Sequence, residues 1–346
     1  MTRGCRGLRH RHLAAAGHFG KYVQRIYSAG VSPSQLSLTR KMTPTSSPRR
    51  AVLLLAHGTA DSLDDIPEFL RHVTGGRPVP PQVIDEVRHR YSLIGHSPMN
   101  EITAHQGRLL ARELGTPVYV GMRNWKPFIP DVVRTMASDG VEQAIAICLA
   151  PQNSRTSVGL YRKAVEGESG PAFALDFVES WHNHPLLIQA FAEKLRAGWA
   201  AACRDANTTV PIIFTAHSVP QRTITEGDPY ESQTRETAEL VAQASNLPGK
   251  VWSFAFQSQG MSGGAWLGPT VEDTIRDLKC AGQGAVFIQP IGFLCDHVEV
   301  LYDIDIGFQQ FARDQGMRLG RAESLNDSPS LIQALADIVR SRSMSS

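Results

Sequence analysis

From residue 51 onward, short runs of aliphatic and β-branched residues alternate with longer stretches whose apolar positions recur at helical intervals. The short runs fall at 51–56, 117–121, 144–150, 172–178, 210–216, 251–256, 285–291 and 317–321. A run that is apolar at nearly every position has no solvent face. It therefore predicts a strand covered on both sides, as in a parallel sheet between helices. The alternation with amphipathic segments predicts an α/β, doubly wound fold.

The eight runs form two sets of four with comparable spacing. AVLLLAHGT (51–59) resembles IIFTAHSVP (212–220), and GVEQAIAICLAPQNS (140–154) resembles GQGAVFIQPIGFLCD (282–296). Two structurally similar halves are expected, with a crevice between them where the strands end, which is where an open α/β sheet takes its ligand. The amphipathic stretch 181–206 marks the boundary, giving an N-terminal domain over 51–180 and a C-terminal domain over 181–346. Within 330–340, Leu331, Ile332, Leu335, Ile338 and Val339 share one side, so this last helix is expected to pack back on the body.

Charge changes the picture at one end only. The chain has 346 residues with 35 Lys and Arg against 33 Asp and Glu, but residues 1–50 carry ten of the basic residues and no acid. A basic arm of +10 precedes a body of −8. The arm has no apolar period and is rich in Ser, Gly, His and Arg, so 1–50 reads as an extension without fold. Two alternatives are a targeting presequence and a start at Met42. The acidic body argues against a nucleic-acid partner. No apolar run approaches the ~18 residues of a membrane span, so no transmembrane segment is expected. Five cysteines without a CxxC pair indicate a reduced, cytoplasmic protein.

Two segments could carry chemistry. In FTAHSVP, His217 follows a buried strand and is expected to project into the crevice, with a pKa near physiological pH that suits proton transfer or metal binding. A histidine that only caps the turn is the structural alternative. In GFLCDHVEVLYDID (292–305), Asp296 is placed to cap a helix, and Glu299 and Asp303, four apart, would share a helix face. Like charges at that spacing repel, and a cation would relieve them, whereas a solvated acidic face needs none. GxGxxG, GxxxxGK[ST] and GxSxG are all absent, which counts against dinucleotide, P-loop and hydrolase sites.

With these residues in view the chain resembles the ferrochelatases. The matching segments include AHGTADSLDDIPEFL, RYSLIGHSPMNEIT, GMRNWKPFI, LAPQNSRTSVGLYRK, FTAHSVPQRTITEGDPY, WLGPTVEDTI, IGFLCDHVEVLYDID and RAESLNDSP, in family order from Ala51 to the C-terminus. The resemblance implies two similar Rossmann-like domains, each a four-stranded parallel sheet flanked by helices, with a porphyrin cleft between them. It implies insertion of Fe2+ into a free-base porphyrin in haem biosynthesis, either protoporphyrin IX or coproporphyrin III, with porphyrin and Fe2+ as substrates and no permanently bound cofactor. By the same resemblance His217 and Glu299 are catalytic and bind the metal, and Asp303 is a weaker relay position. That relay is shortened, because Gly307 stands where the family often has a third acid, with Asp305 close by. The porphyrin-binding set would be His57, Arg90, Tyr91, Ser97, Arg123 and Tyr161, with His57 where related enzymes carry a Tyr that can ligate product iron. Thr74 replaces an Arg of the coproporphyrin-type enzymes. The chain ends in SRSMSS without a cysteine cluster, so no iron–sulfur cluster is expected. The alternatives are a haem or porphyrin carrier without turnover and a chelatase for another divalent metal.

Overall fold

A computed structural model of the chain describes residues 49–259 and 264–343. The basic arm up to residue 48 lies outside the described residues. Eight strands appear, each within two residues of its apolar run: β1 (Arg50–Ala56), β2 (Val118–Met122), β3 (Gln143–Cys148), β4 (Ala174–Val178), β5 (Ile212–His217), β6 (Trp252–Gln257), β7 (Ala285–Pro290) and β8 (Arg318–Arg321). They make two four-stranded parallel sheets, ordered β2-β1-β3-β4 and β6-β5-β7-β8. The repeat is thus real in three dimensions. In each half the first strand lies inside the sheet, paired on one side by the second and on the other by the third. Leu54 pairs with Val120 and Ile147, and Phe214 pairs with Phe254 and Gln289.

The periodic segments between the strands are helices on both faces of the sheets, which buries the central strands most deeply; Leu53, Leu54, Leu55, Ile212, Ile213 and Phe214 are inaccessible. The first half carries α1 (Ile66–Val73), α2 (Pro81–Ile94), α3 (Met99–Leu114), α4 (Ile129–Ser138) and α5 (Val158–Glu166). The second carries α6 (Pro185–Ala206), α7 (Gln221–Thr225), α8 (Tyr230–Ala244), α9 (Val271–Cys280) and α10 (Val298–Leu301). It continues with a π-helix (Asp303–Phe308), α11 (Gln309–Asp314) and α12 (Pro329–Ser343). Local chemistry sets several of these ends. Proline occupies one of the first two positions of α1, α2, α4 and α6, where its missing N–H costs nothing. Thr270 caps α9 by accepting from the Asp273 N–H at 3.1 Å. Left-handed Gly115 and Asn207 stop α3 and α6.

Helix α12 packs on both α3 and α6, burying Leu331, Leu335 and Ile338, and Arg340 Nη2 donates to Glu113 Oε1 at 2.8 Å. It therefore ties the second half to the first. No described helix is long and apolar enough to cross a membrane.

Two glycines fix where the central strands deliver their last residues. Gly58 has φ +76°, and a Cβ there would lie 2.9 Å from Met122 Cβ and 3.0 Å from Trp125 Cβ. Gly292, after β7, would place a Cβ 3.1 Å from Ala216 Cβ, so the backbone of one strand end rests directly on its neighbour. Gly58→Ala combines a left-handed backbone with a clash against buried atoms. It is expected to cost about 2 kcal/mol or more in urea denaturation, and an unchanged midpoint would contradict this account of the turn.

Candidate active site

In an order such as β6-β5-β7-β8 the chain leaves β5 in one direction and returns past it to β7, so a crevice opens beyond the carboxyl ends of β5 and β7. His217 is the last residue of β5, and Glu299 lies on the short helix that follows β7. The two meet there, with His217 Nε2 3.3 Å from Glu299 Oε1. Each side chain is 34% exposed, so a ligand in the crevice can reach both.

Two hydrogen bonds orient His217, and a third holds its partner Tyr230. Its Nδ1–H donates to its neighbour's carbonyl, Ser218 O, at 2.5 Å, which aims Nε2 at the carboxylate. The Tyr230 hydroxyl donates to the His217 carbonyl at 2.9 Å, and Tyr230 N–H donates to Asp228 Oδ1 at 3.0 Å. Burial alone would lower the imidazole pKa, but the charge and hydrogen bonding of Glu299 overcome it and raise the value from 6.5 to about 9. The expected titration near physiological pH is therefore corrected, because the contact with Glu299 holds an imidazolium. Burial would likewise raise the Glu299 pKa, yet His217 and then His297 draw it well below 4.5.

His297 completes the group and is a residue the sequence reading missed. Its Nδ1–H donates to Cys295 O at 2.9 Å, and its Nε2 lies 3.4 Å from Glu299 Oε2. The signal was a His two residues before the acid, on extended backbone with φ −162°. His297, not Asp296, occupies the cap position of α10. The Asp296 carboxylate instead accepts from Ser324 Oγ at 2.7 Å and Asn326 Nδ2 at 2.9 Å, which holds it away from the helix end. The α-helix expected through Glu299 and Asp303 is also shorter than it seemed. Four residues are α-helical, and the backbone then widens to a π-turn in which Gly307 N–H donates to Tyr302 O at 2.9 Å.

Asp303 begins that π-helix. Ser258 Oγ donates to its Oδ2, and Arg90 Nη1 reaches its Oδ1 at 3.4 Å from the other half of the molecule. Burial, with the Glu299 charge adding to it, raises Asp303 from 3.8 to about 6 against the opposing effects of Ser258 and Arg90. Asp305 is not a further rung. It turns the other way and pairs with Arg321, Nε to Oδ1 at 2.6 Å.

The first half repeats the arrangement with different chemistry. His57 stands just after β1, as His217 stands at the end of β5, and its Nδ1–H likewise donates to the next carbonyl, Gly58 O, at 2.9 Å. Burial first, and the Arg123 charge second, lower its pKa to about 4, so this imidazole is neutral and its Nε2 accepts from Asn124 Nδ2 at 2.9 Å. Tyr161, on α5 after β3, is buried, and the Arg123 guanidinium lies 5.3 Å from its ring centre. Arg123 Nε and Nη1 and Ser97 Oγ are buried without a hydrogen-bond partner among the described residues. Tyr91 is 3% exposed, and its hydroxyl pairs with Thr59 Oγ1 at 2.7 Å. Arg90 stands at the junction of the halves, bonded to Glu86 at 2.8 Å and lying over the Tyr302 ring. Thr74 serves as the cap of α1. Trp125 and Met122 are core residues, and the Trp125 indole N–H donates to Asp61 Oδ2 at 2.8 Å. Burial pushes the Cys295 thiol up to about 12, so in the metal-free protein it stays protonated.

The crevice thus presents an imidazole, a carboxylate and a second imidazole in contact, with an acid beyond them. Among the described residues no three His, Cys, Asp or Glu side chains converge on one metal position, and two donors suit a cation that is held loosely and handed on. The model of the family described as ferrochelatase matches residues 49–343. The chain belongs to the ferrochelatase family. A ferrochelatase from Acidobacterium capsulatum is 54% identical over 308 residues, spanning 85% of this chain and 94% of the relative. A coproporphyrin III ferrochelatase from Geobacillus sp. (strain WCH70) is 33% identical over 307 residues, spanning 85% of this chain and 98% of the relative. The solved structure of SirB from Bacillus subtilis with Fe3+ shares the fold, with a TM-score of 0.51 at 11% identity over 84% of this chain.

In this member of the ferrochelatase family the two raised and lowered pKa values have opposite signs in acid and base. The raised value of His217 gives stability that is complete below pH 6.5 and is lost as pH rises through about 9. The depressed value of Glu299 gives stability that is complete above pH 4.5 and is lost in stronger acid. In metal-free protein, NMR titration of the His217 ring is expected to give a pKa near 9, and in Glu299→Gln a clearly lower value, since the main opposition to burial is then removed. A His217 value that is the same in both proteins would contradict the coupling.

Proposed function

We propose that the crevice built on His217 and Glu299 is where this enzyme inserts Fe2+ into a free-base porphyrin, the reaction of haem biosynthesis that its family membership assigns to it. The observation that carries the site is the 3.3 Å contact of a strand-end imidazole with a carboxylate that is open to the cleft. An imidazole nitrogen and a carboxylate oxygen suit a borderline divalent ion. Fe2+ has to displace the proton that the pair shares, so iron uptake and proton release are linked.

Insertion exchanges two pyrrole N–H protons for one Fe2+, and the protein must accept both protons. Once the iron leaves it for the ring, His217 regains a lone pair facing the pyrrole nitrogens, and Glu299 beside it stabilises the resulting imidazolium. Asp303, raised to about 6, suits passing a proton on near neutrality. The relay stops there, because Gly307 carries no acid and Asp305 is engaged by Arg321. His57, Arg90, Tyr91, Ser97, Arg123 and Tyr161 form the porphyrin-facing set in this reading. The unpartnered donors of Ser97 and Arg123 support an anionic or acceptor-bearing ligand there. His57 serves as an axial ligand only if Asn124 releases its Nε2.

The paired His217 and Glu299 favour the enzyme over a carrier, which needs a cleft and His57 but no proton acceptor beside a carboxylate. The four described cysteines sit apart on β3, α6, the end of α9 and the loop after β7, which supports a protein without an iron–sulfur cluster. A cytoplasmic location, and no nucleic-acid partner, fit the acidic body of the chain.

The test is anaerobic metallation followed by loss of free-base fluorescence, with protoporphyrin IX and coproporphyrin III in parallel and Co2+ as a competing metal. Wild type is expected to metallate one or both porphyrins with Fe2+, and His217→Ala to be slower by about 100-fold or more. Equal rates in the two proteins would remove His217 from the mechanism, and no turnover by wild type would leave the carrier.

A further inference from the structure

The segment RAESLND (321–327) has no part in the chemistry above, yet three of its side chains converge on the acidic stretch that carries Glu299. Arg321 is 15% exposed and its guanidinium forks between two carboxylates. Nε and Nη2 donate to the two oxygens of Asp305, at 2.6 and 2.8 Å, and Nη2 also reaches Asp296 Oδ1 at 3.3 Å. Ser324 Oγ and Asn326 Nδ2 take the remaining positions on Asp296, and Asp296 N–H donates back to Asn326 Oδ1 at 2.8 Å. Asn326 holds a left-handed backbone, φ 47°, and its carbonyl accepts from Gln106 Nε2 of α3 at 2.5 Å.

Asp296 stands three residues before Glu299, and Asp305 six after it. The chain between them is a single α-turn followed by a π-turn, and neither is stable alone, since helices this short are marginal and π geometry is rare. Val300, Leu301, Ile304 and Phe308 bury one side of it. Gln257 Nε2 donates to Glu299 O at 3.0 Å, and the Arg321 fork adds a restraint on each side of Glu299, joining both to one planar group.

We propose that Arg321 is a positioning residue for iron delivery: by clamping Asp296 and Asp305 it sets Glu299 at contact distance from His217 and holds Asp303 on the cleft face. This rests on the site proposed above. The guanidinium geometry is essential to it, as a lysine would keep the charge and serve only one carboxylate at a time.

The test compares wild type, Arg321→Lys and Asp305→Asn in steady-state metallation with Fe2+ varied at saturating porphyrin. Porphyrin binding without iron is measured by fluorescence, and folding by circular dichroism. Arg321→Lys is expected to raise the KM for Fe2+ on the order of tenfold, with the porphyrin Kd changed by less than about twofold. Asp305→Asn is expected to move the same parameter by less, and the double variant to fall short of the product of the two, since they share one contact. A merely structural role would lower the active fraction, hence kcat, and leave the KM for Fe2+ alone. A folded Arg321→Lys with the wild-type KM overturns the proposal. If Arg321→Lys does not fold, an unchanged KM in Asp305→Asn overturns it. Glu299→Gln separates the two levels. An unchanged Fe2+ KM in that variant means that the site itself is misassigned, whereas a raised KM there with none in Arg321→Lys sinks only the clamp.

Discussion

The contact between His217 and Glu299 joins two strand ends that are far apart in the chain, and the rest of the architecture serves to make it. Burial works against both charges, and each group is charged because the other stands beside it. Together they hold a proton strongly, at about 9 on the histidine side. A site of this kind is poised between two cations. In the proposed function it binds a proton until a metal ion displaces it, and takes that proton up again when the metal departs.

The two halves show how one scaffold yields two kinds of cleft wall. His57 and His217 follow the first strand of their sheets and make the same Nδ1 bond to the next carbonyl. What differs is the residue facing Nε2. Asn124 donates to His57, and burial with Arg123 keeps that ring neutral, whereas Glu299 makes His217 a cation. The segment after the third strand carries Tyr161 in one half and Glu299 in the other. One wall is thus a neutral, donor-rich surface with the unpartnered groups of Arg123 and Ser97, and the other carries the exchangeable charge.

Much of this was legible in the sequence, for physical reasons. Central strands covered on both faces must be apolar, which makes β1, β5 and β7 plain in the sequence, whereas edge strands such as β8, with Arg318 and Arg321, carry a weaker signal. The repeated AHGT and AHSV endings identified the two strand-end histidines. Periodicity failed where the helix changed type. Six residues of π geometry after one α-turn cannot be told from an α-helix by apolar spacing, and Asp296 was misread as a cap because its partners Ser324 and Asn326 lie about thirty residues away. The pKa of His217 was misjudged for a related reason. Its value depends on a carboxylate 82 positions further along, a contact no local pattern encodes. His297 was passed over although it sits beside Glu299 in sequence, since a His two residues before an acid carries no strong signal until the extended backbone brings it onto the second carboxylate oxygen.

The central claim is that one proton and one iron compete for the same pair. Anaerobic calorimetry of Fe2+ binding to porphyrin-free protein at pH 7.5, repeated in buffers of different ionisation enthalpy, counts the protons released. The account predicts about one proton per iron bound by wild type, and a loss of both binding and release in His217→Ala. Tight binding of Fe2+ by wild type with no proton release would contradict it.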